Sequence, residues 1–221
     1  VKSAVPSLTG AIHARTQELK IMTRFALLAV ILLLGGLDRS SWAVEAQSPG
    51  VRNCTWCHGT SAQGYMVAPR LAGQRPQYIE TQLQGFHQHT RDNPLAKQYM
   101  WSAVAALRPD AEHDLASYFS ALPPKPANDG HSEVAAMGKK IFIEGIAEAN
   151  IVSCYACHGP NAEGIRDIPR LAGLSYAYLK RRLQQWNQGY HSTAGSPMPM
   201  VASTLGPDEV EALASYLSFA K

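Results

Sequence analysis

Apolar residues recur at helical spacing in two stretches that answer to each other across the chain. Ile79, Leu83 and Phe86 stand at i, i+4 and i+7, and Leu179, Leu183 and Trp186 repeat the pattern. That spacing stacks each trio on one face of a 3.6-residue helix. A second matched pair of helices is predicted around Leu115–Ala116–Ser117–Tyr118 and Leu213–Ala214–Ser215–Tyr216. Each has a start signal. Pro109 and Pro207 suit a first helical turn, where the missing N–H costs nothing. Asp110, Glu112, Asp208 and Glu209 place negative charge where the helix dipole favours it. A further helix is predicted over Glu133–Gly145, with Val134, Met137 and Ile141 on one side. The first half has no full counterpart. Only Val44 to Asn53 is available there, and Pro49–Gly50 is expected to break it, leaving a truncated helix. No alternation of strand type surrounds these segments, so the expected fold class is all-α.

The repeat extends to residues that carry chemistry. Cys54–Thr55–Trp56–Cys57–His58 returns one hundred residues later as Cys154–Tyr155–Ala156–Cys157–His158. His58–Gly59 and Gln63–Gly64 answer to His158–Gly159 and Glu163–Gly164, and Pro69–Arg70–Leu71–Ala72–Gly73 is unchanged as Pro169–Arg170–Leu171–Ala172–Gly173. Cys-x-x-Cys-His is the attachment signature of c-type haem. The two thiols add to the porphyrin vinyl groups and the adjacent His ligates the iron. Two such motifs use all four cysteines, so no disulfide framework remains. A zinc site is the competing reading of paired Cys-x-x-Cys, but zinc ribbons place their pairs ~15–20 residues apart. A thioredoxin-like thiol pair would sit in a βαβ pattern that is lacking here. The expected cofactors are two haem c groups, attached through Cys54, Cys57, Cys154 and Cys157, with His58 and His158 on the irons.

A low-spin haem takes a sixth ligand, commonly Met. Met100 lies seven residues before Leu107, and Met198 seven before Leu205, each just ahead of the last helix of its half. Tyr118 and Tyr216 keep the same register. The upstream repeat, shifted by one hundred, aligns Met100 with Met200 instead, so Met200 stands as the alternative to Met198. Met66 is too close to His58 to reach the opposite ring face, and Met137 belongs to an apolar helix pattern. His87, His89 or His191 would be the ligand of a bis-His haem. Pro69 and Pro169 are expected to offer a carbonyl to the proximal His, fixing its ring. Arg70 and Arg170 are expected to pair with haem propionates. Tyr78, Tyr178, Tyr118 and Tyr216 read as packing residues, with polar contact between the halves as the other use.

Between the halves, Leu122–Pro123–Pro124–Lys125–Pro126–Ala127–Asn128–Asp129–Gly130 is rich in proline, the composition of an extended linker. The expected organisation is residues 44–122 and 131–221 as two small haem domains joined by 123–130. Upstream, Met22–Thr23–Arg24, the apolar run Phe25–Leu34 and the small-residue site Ser41–Trp42–Ala43 read as a secretory signal over 22–43, with cleavage after Ala43 or Ala46. A retained anchor is the other reading, although the run is shorter than the ~20 residues of a span. Residues 1–21 read as an upstream extension without a role. The chain holds 20 Lys and Arg against 17 Asp and Glu, but beyond residue 46 the counts are 15 and 14. Such a balance favours neither nucleic acid nor an anionic membrane.

These motifs together resemble the cytochrome c4 family, two class I cytochrome c domains in one exported chain. The resemblance runs from about Val51 to the C-terminus. It implies a periplasmic electron carrier with His58/Met100 and His158/Met198 ligation, working between redox donors and acceptors such as membrane-bound respiratory complexes, with no small-molecule substrate at the iron. Two other roles remain open. One is a dihaem subunit of a larger dehydrogenase or oxidase. The other is a dihaem enzyme, a peroxidase or sulfur-compound dehydrogenase, which would need an open sixth site.

Overall fold

A computed structural model describes residues 49–65, 67–190 and 197–221. The expected extension 1–21, the signal 22–43, residues 44–48, Met66 and His191 lie outside the described residues. The first half runs α1 (Pro49–His58), α2 (Pro76–His87), a π-helical turn (Ala96–Met100) that continues into α3 (Trp101–Val104), and α4 (Pro109–Ala121). The second half runs α5 (Ser132–Glu144), a 3-10 turn (Ala147–Ala149), α6 (Tyr155–His158), α7 (Tyr176–Asn187), α8 (Met198–Ala202) and α9 (Pro207–Phe219). Among the described residues, extended pairing is limited to three isolated bridges. The fold is all-α.

Two hydrophobic cores form, one in each half. Ile79, Leu83 and Phe86 of α2 bury against Leu115, Ala116 and Phe119 of α4. Leu179 and Leu183 of α7 bury with Val210, Leu213 and Leu217 of α9, and Trp186 packs at the edge of that cluster. Each core is small for a free-standing unit, and the expected haem would add apolar surface to it.

Two expectations about the leading helices need correction. Pro49–Gly50 does not break a helix but begins one, and α1 runs without interruption into the Cys-x-x-Cys-His segment. A proline at a helix start removes only an N–H that has no partner there. In α5 the buried face is Gly138, Ile141 and Phe142, while Met137 is 43% exposed. The reason is a backbone-to-backbone contact. A Cβ built on Gly138 would lie 1.9 Å from the carbonyl oxygen of Ala212 in α9, closer than any side chain allows. Gly138→Ala is therefore expected to destabilise the second half by about 1–3 kcal/mol through overpacking, or more if α5 is displaced. Thermal unfolding of the holoprotein, followed at both haems, measures this.

The connecting segment 123–130 is extended but not loose. Gln63 holds it on one side, donating from Nε2 to Pro123 O at 3.0 Å and accepting from Lys125 N at 2.9 Å. On the other side Ala127 N donates to Gly173 O at 3.1 Å, and Asn128 N to Ser218 O at 3.1 Å. Gly130 N and His131 N donate to the hydroxyls of Ser218 and Ser215 at 3.0 and 3.1 Å. Gly73 and Gly173, both with φ near +70°, lie directly beneath this strap.

The halves also meet directly, through polar groups. Arg70 donates from Nη1 to the carbonyls of Lys125 and Gly173, each at 2.7 Å, and from Nη2 to that of Ala172 at 2.5 Å. Arg181 donates to Val67 O at 2.8 Å, and Arg91 to the Tyr178 hydroxyl at 3.3 Å. Burial first, and the neighbouring Tyr178 second, push the Tyr78 hydroxyl above the usual tyrosine range. The tyrosines thus contribute polar contact as well as packing.

Candidate haem sites

Each Cys-x-x-Cys-His segment ends on a helix whose last residue is the histidine. Behind it, the chain turns back through a loop built the same way twice. Gly64 N donates to His58 O at 2.9 Å, and Gly164 N to His158 O at 2.8 Å. The carbonyl of Ala62 accepts from Leu71 N and Ala72 N, and that of Ala162 from Leu171 N and Ala172 N. Ala62 and Ala162 are fully buried at φ of 55° and 53°, a left-handed conformation that costs a non-glycine residue and is held by these paired bonds.

This loop delivers a carbonyl to the histidine. His58 Nδ1–H donates to Pro69 O at 2.7 Å, and His158 Nδ1–H to Pro169 O at 3.0 Å. A carbonyl only accepts, so Nδ1 carries the proton and Nε2 keeps its lone pair. Burial, opposed by these carbonyls, pushes both imidazoles below the usual histidine range. A neutral ring with a bare Nε2 is the state that ligates a metal.

The surrounding donors suit a group with carboxylates. Arg75 Nε, Arg91 Nε, Arg170 Nε and Trp186 Nε1 are buried without a hydrogen-bond partner. Arg91 lies near enough to His58 to depress its pKa further. Buried donors of this kind carry a desolvation cost that propionates would offset. None of the four cysteines is in a disulfide. Burial, chiefly, pushes the free thiols of Cys54 and Cys154 up to about 11. Histidine tautomer, unpaired cysteines and orphaned donors all fit a covalently attached haem.

The two arginines of the repeat differ. Both terminal nitrogens of Arg70 go to main-chain carbonyls of the connector and the second half, a role that departs from the propionate pairing expected of it. Burial first, and Arg170 second, push its guanidinium down to about 10, still charged at neutral pH. Arg170 retains its unpartnered Nε.

Met100 ends the π-helical turn and packs against the first core. Such turns often mark functional positions. Met198 begins α8 and packs against the second core, whereas Met200 is 78% exposed. The turns that follow share the shorter register, with Leu107 N bonded to Val104 O and Leu205 N to Ala202 O. Among the alternative histidines, His87 engages Glu112 through Nδ1 at 2.8 Å and reaches Ala105 O through Nε2 at 3.5 Å. His89 stacks on Trp101.

With this geometry in view, the chain can be set beside known proteins. The family model for cytochrome c matches residues 135–221. Cytochrome c-552 of Acidithiobacillus ferridurans is 33% identical over 211 residues, covering 93% of this chain and 90% of its own. A thiosulfate dehydrogenase electron acceptor of Stutzerimonas stutzeri is 36% identical, covering 77% of this chain and 80% of its own. The structure of cytochrome c4 from Acidithiobacillus ferrooxidans matches with a TM-score of 0.71 at 33% identity, over 76% of this chain and 99% of that one. The chain belongs to the cytochrome c4 family. Like other cytochromes c4 it is an electron-transfer protein, with two covalently attached haem c groups and redox proteins as partners.

Gln74, Arg75 and Arg91 escaped the sequence reading, and Gln63 and Trp186 entered it only as part of a repeat and of a helix face. A polar residue buried between two halves has no periodic signature. The one available signal was the change from Gln74 to Leu174 directly after a pentapeptide that is otherwise repeated without change.

Proposed function

We propose that this cytochrome c4 is a periplasmic carrier passing single electrons between a donor and an acceptor at respiratory membranes. In this reading residues 44–122 and 131–221 are its two haem domains, and 22–43 its export signal. Each haem, when bound, supplies a one-electron ferric–ferrous couple. Cys54 and Cys57 hold the first haem and Cys154 and Cys157 the second. His58 and Met100 would ligate the iron of the first, and His158 and Met198 that of the second. Pro69 and Pro169 orient the histidines through their carbonyls, which raises ligand basicity. Methionine at both sixth positions keeps substrates off the iron, which separates a carrier from a peroxidase. Arg170 would offer its buried Nε to a propionate, with Arg75 and Arg91 as further donors. Arg70 is kept for the clamp between the halves.

The observation that carries this reading is the Nδ1–H bond made in both halves, at 2.7 and 3.0 Å, which leaves two bare Nε2 atoms beside two thioether motifs. Among the described residues no helix is long and apolar enough to cross a membrane. The weak sulfur-to-iron absorption band of the oxidised holoprotein tests the ligand set. Two equivalents per chain are expected, and one or none overturns it.

The relative named as a thiosulfate dehydrogenase electron acceptor favours a second reading, in which the donor is a sulfur-compound dehydrogenase. Rapid mixing with such an enzyme decides between them. Reduction of both haems within a tight complex supports the dehydrogenase partner, and slow, salt-dependent reduction supports a freely diffusing carrier.

A further inference from the structure

The peptide unit between Pro169 and Arg170 is used from both ends. Its carbonyl accepts from His158 Nδ1 at 3.0 Å, and its N–H donates to Oε1 of Gln74 at 2.7 Å. Gln74 belongs to the other half of the molecule and is only 7% exposed. Its Nε2 donates to the Arg170 carbonyl at 3.0 Å, so the amide is clamped on the backbone of Arg170 at two points. Those two bonds fix its orientation, because the Arg170 N–H needs an acceptor and the Arg170 carbonyl needs a donor.

A peptide that donates through its N–H has a more electron-rich carbonyl, since hydrogen bonds in a chain polarise one another. The Pro169 carbonyl then draws harder on the Nδ1 proton of His158 and raises the basicity of the ring. A more basic axial ligand stabilises the ferric state, and second-shell bonds of this kind set reduction potentials. The device runs one way only. The repeat places Leu174 where Gln74 stands, and Leu174 is buried in the second core with no acceptor to offer.

We propose that Gln74 is a positioning residue for the second haem, acting from the other half through the Pro169–Arg170 peptide to strengthen the His158 hydrogen bond and lower that haem's potential. One side chain thereby makes two haems from a repeated motif unequal. The proposal rests on His158 being an iron ligand.

The test uses the holoprotein with Gln74→Leu, the residue of the other repeat, and Gln74→Glu, which keeps the acceptor. Each haem is followed by its own proton resonances during a redox titration, with signals assigned through Met100 and Met198 variants. The expected result for Gln74→Leu is a higher potential at the haem on Cys154 and Cys157 alone, with faster solvent exchange of the His158 Nδ1 proton in the ferrous protein. Gln74→Glu is expected to leave that potential at or below the wild-type value. Unchanged potentials, equal movement of both haems as from a loosened interface, or identical behaviour of the two variants would each overturn the proposal. The ligand assignment is checked separately in the wild-type ferrous protein. His158 ring protons without the large haem ring-current shift would reject that assignment whatever the variants do.

Discussion

Met198→Ala should abolish the sulfur-to-iron band of one haem, while Met200→Ala leaves both bands in place. The argument is one of packing. Met198 rests on the second core at the start of α8, and Met200, two residues on, is 78% exposed. Successive helical residues are turned by about 100°, so two residues apart they face nearly opposite sides and cannot exchange places without unwinding the helix. Loss of the thioether leaves water or a nearby base as the sixth ligand. Because thioether ligation raises the potential, the altered haem should become harder to reduce while the haem on Cys54 and Cys57 holds its value. Optical redox titration of both variants reads this directly. Loss of the band in Met200→Ala instead would transfer the ligand role to Met200.

Arg70→Ala should uncouple the two halves. The Arg70 side chain donates to the carbonyls of Lys125, Ala172 and Gly173, and the residue is only 5% exposed. Hydrogen bonds from a charged donor contribute about 1.5–3 kcal/mol each, and a buried carbonyl stripped of its donor carries a desolvation cost. With water entering the vacated space, a net loss of roughly 3 kcal/mol is expected, a large share of the stability of a small protein. Calorimetry of the holoprotein should then show two separated transitions, against the single one expected of the wild type. Arg70→Lys should rescue little, because a single ammonium cannot reproduce the planar fork that reaches three carbonyls. One unbroken transition in Arg70→Ala would mean that the strap and the tyrosine contacts suffice.

The helices were readable because their buried residues are apolar and periodic. Ile79, Leu83 and Phe86 name the buried face of α2 without help from any structure. The same logic failed on α5, where an apolar count selects Met137 and passes over Gly138. A glycine contributes nothing to hydrophobic periodicity, yet here it lets two backbones touch. The chemistry of the motifs was equally readable, since two thiols and a histidine at fixed spacing have few other uses. The joint between the halves was not. Arg70 and Gln74 look like ordinary surface residues, and their acceptors are main-chain atoms, which carry no residue-specific mark. Arg70 was accordingly assigned to a propionate, and nothing in the chain pointed to Ala172 and Gly173 as its partners.

The strap between the halves crosses the same notch twice. A Cβ on Gly73 would strike the ring of Pro124 at 2.6 Å, and one on Gly173 would meet Cα of Pro126 at 2.8 Å. Only Lys125 separates the two crossings. The connector is thus a gauge, whose covalent length helps to set the gap between the two loops whose Pro69 and Pro169 carbonyls hold the histidines. Electron tunnelling weakens steeply with distance. A chain with one more residue between Pro124 and Pro126 would keep both Cys-x-x-Cys-His motifs, and is expected to pass electrons between its halves more slowly.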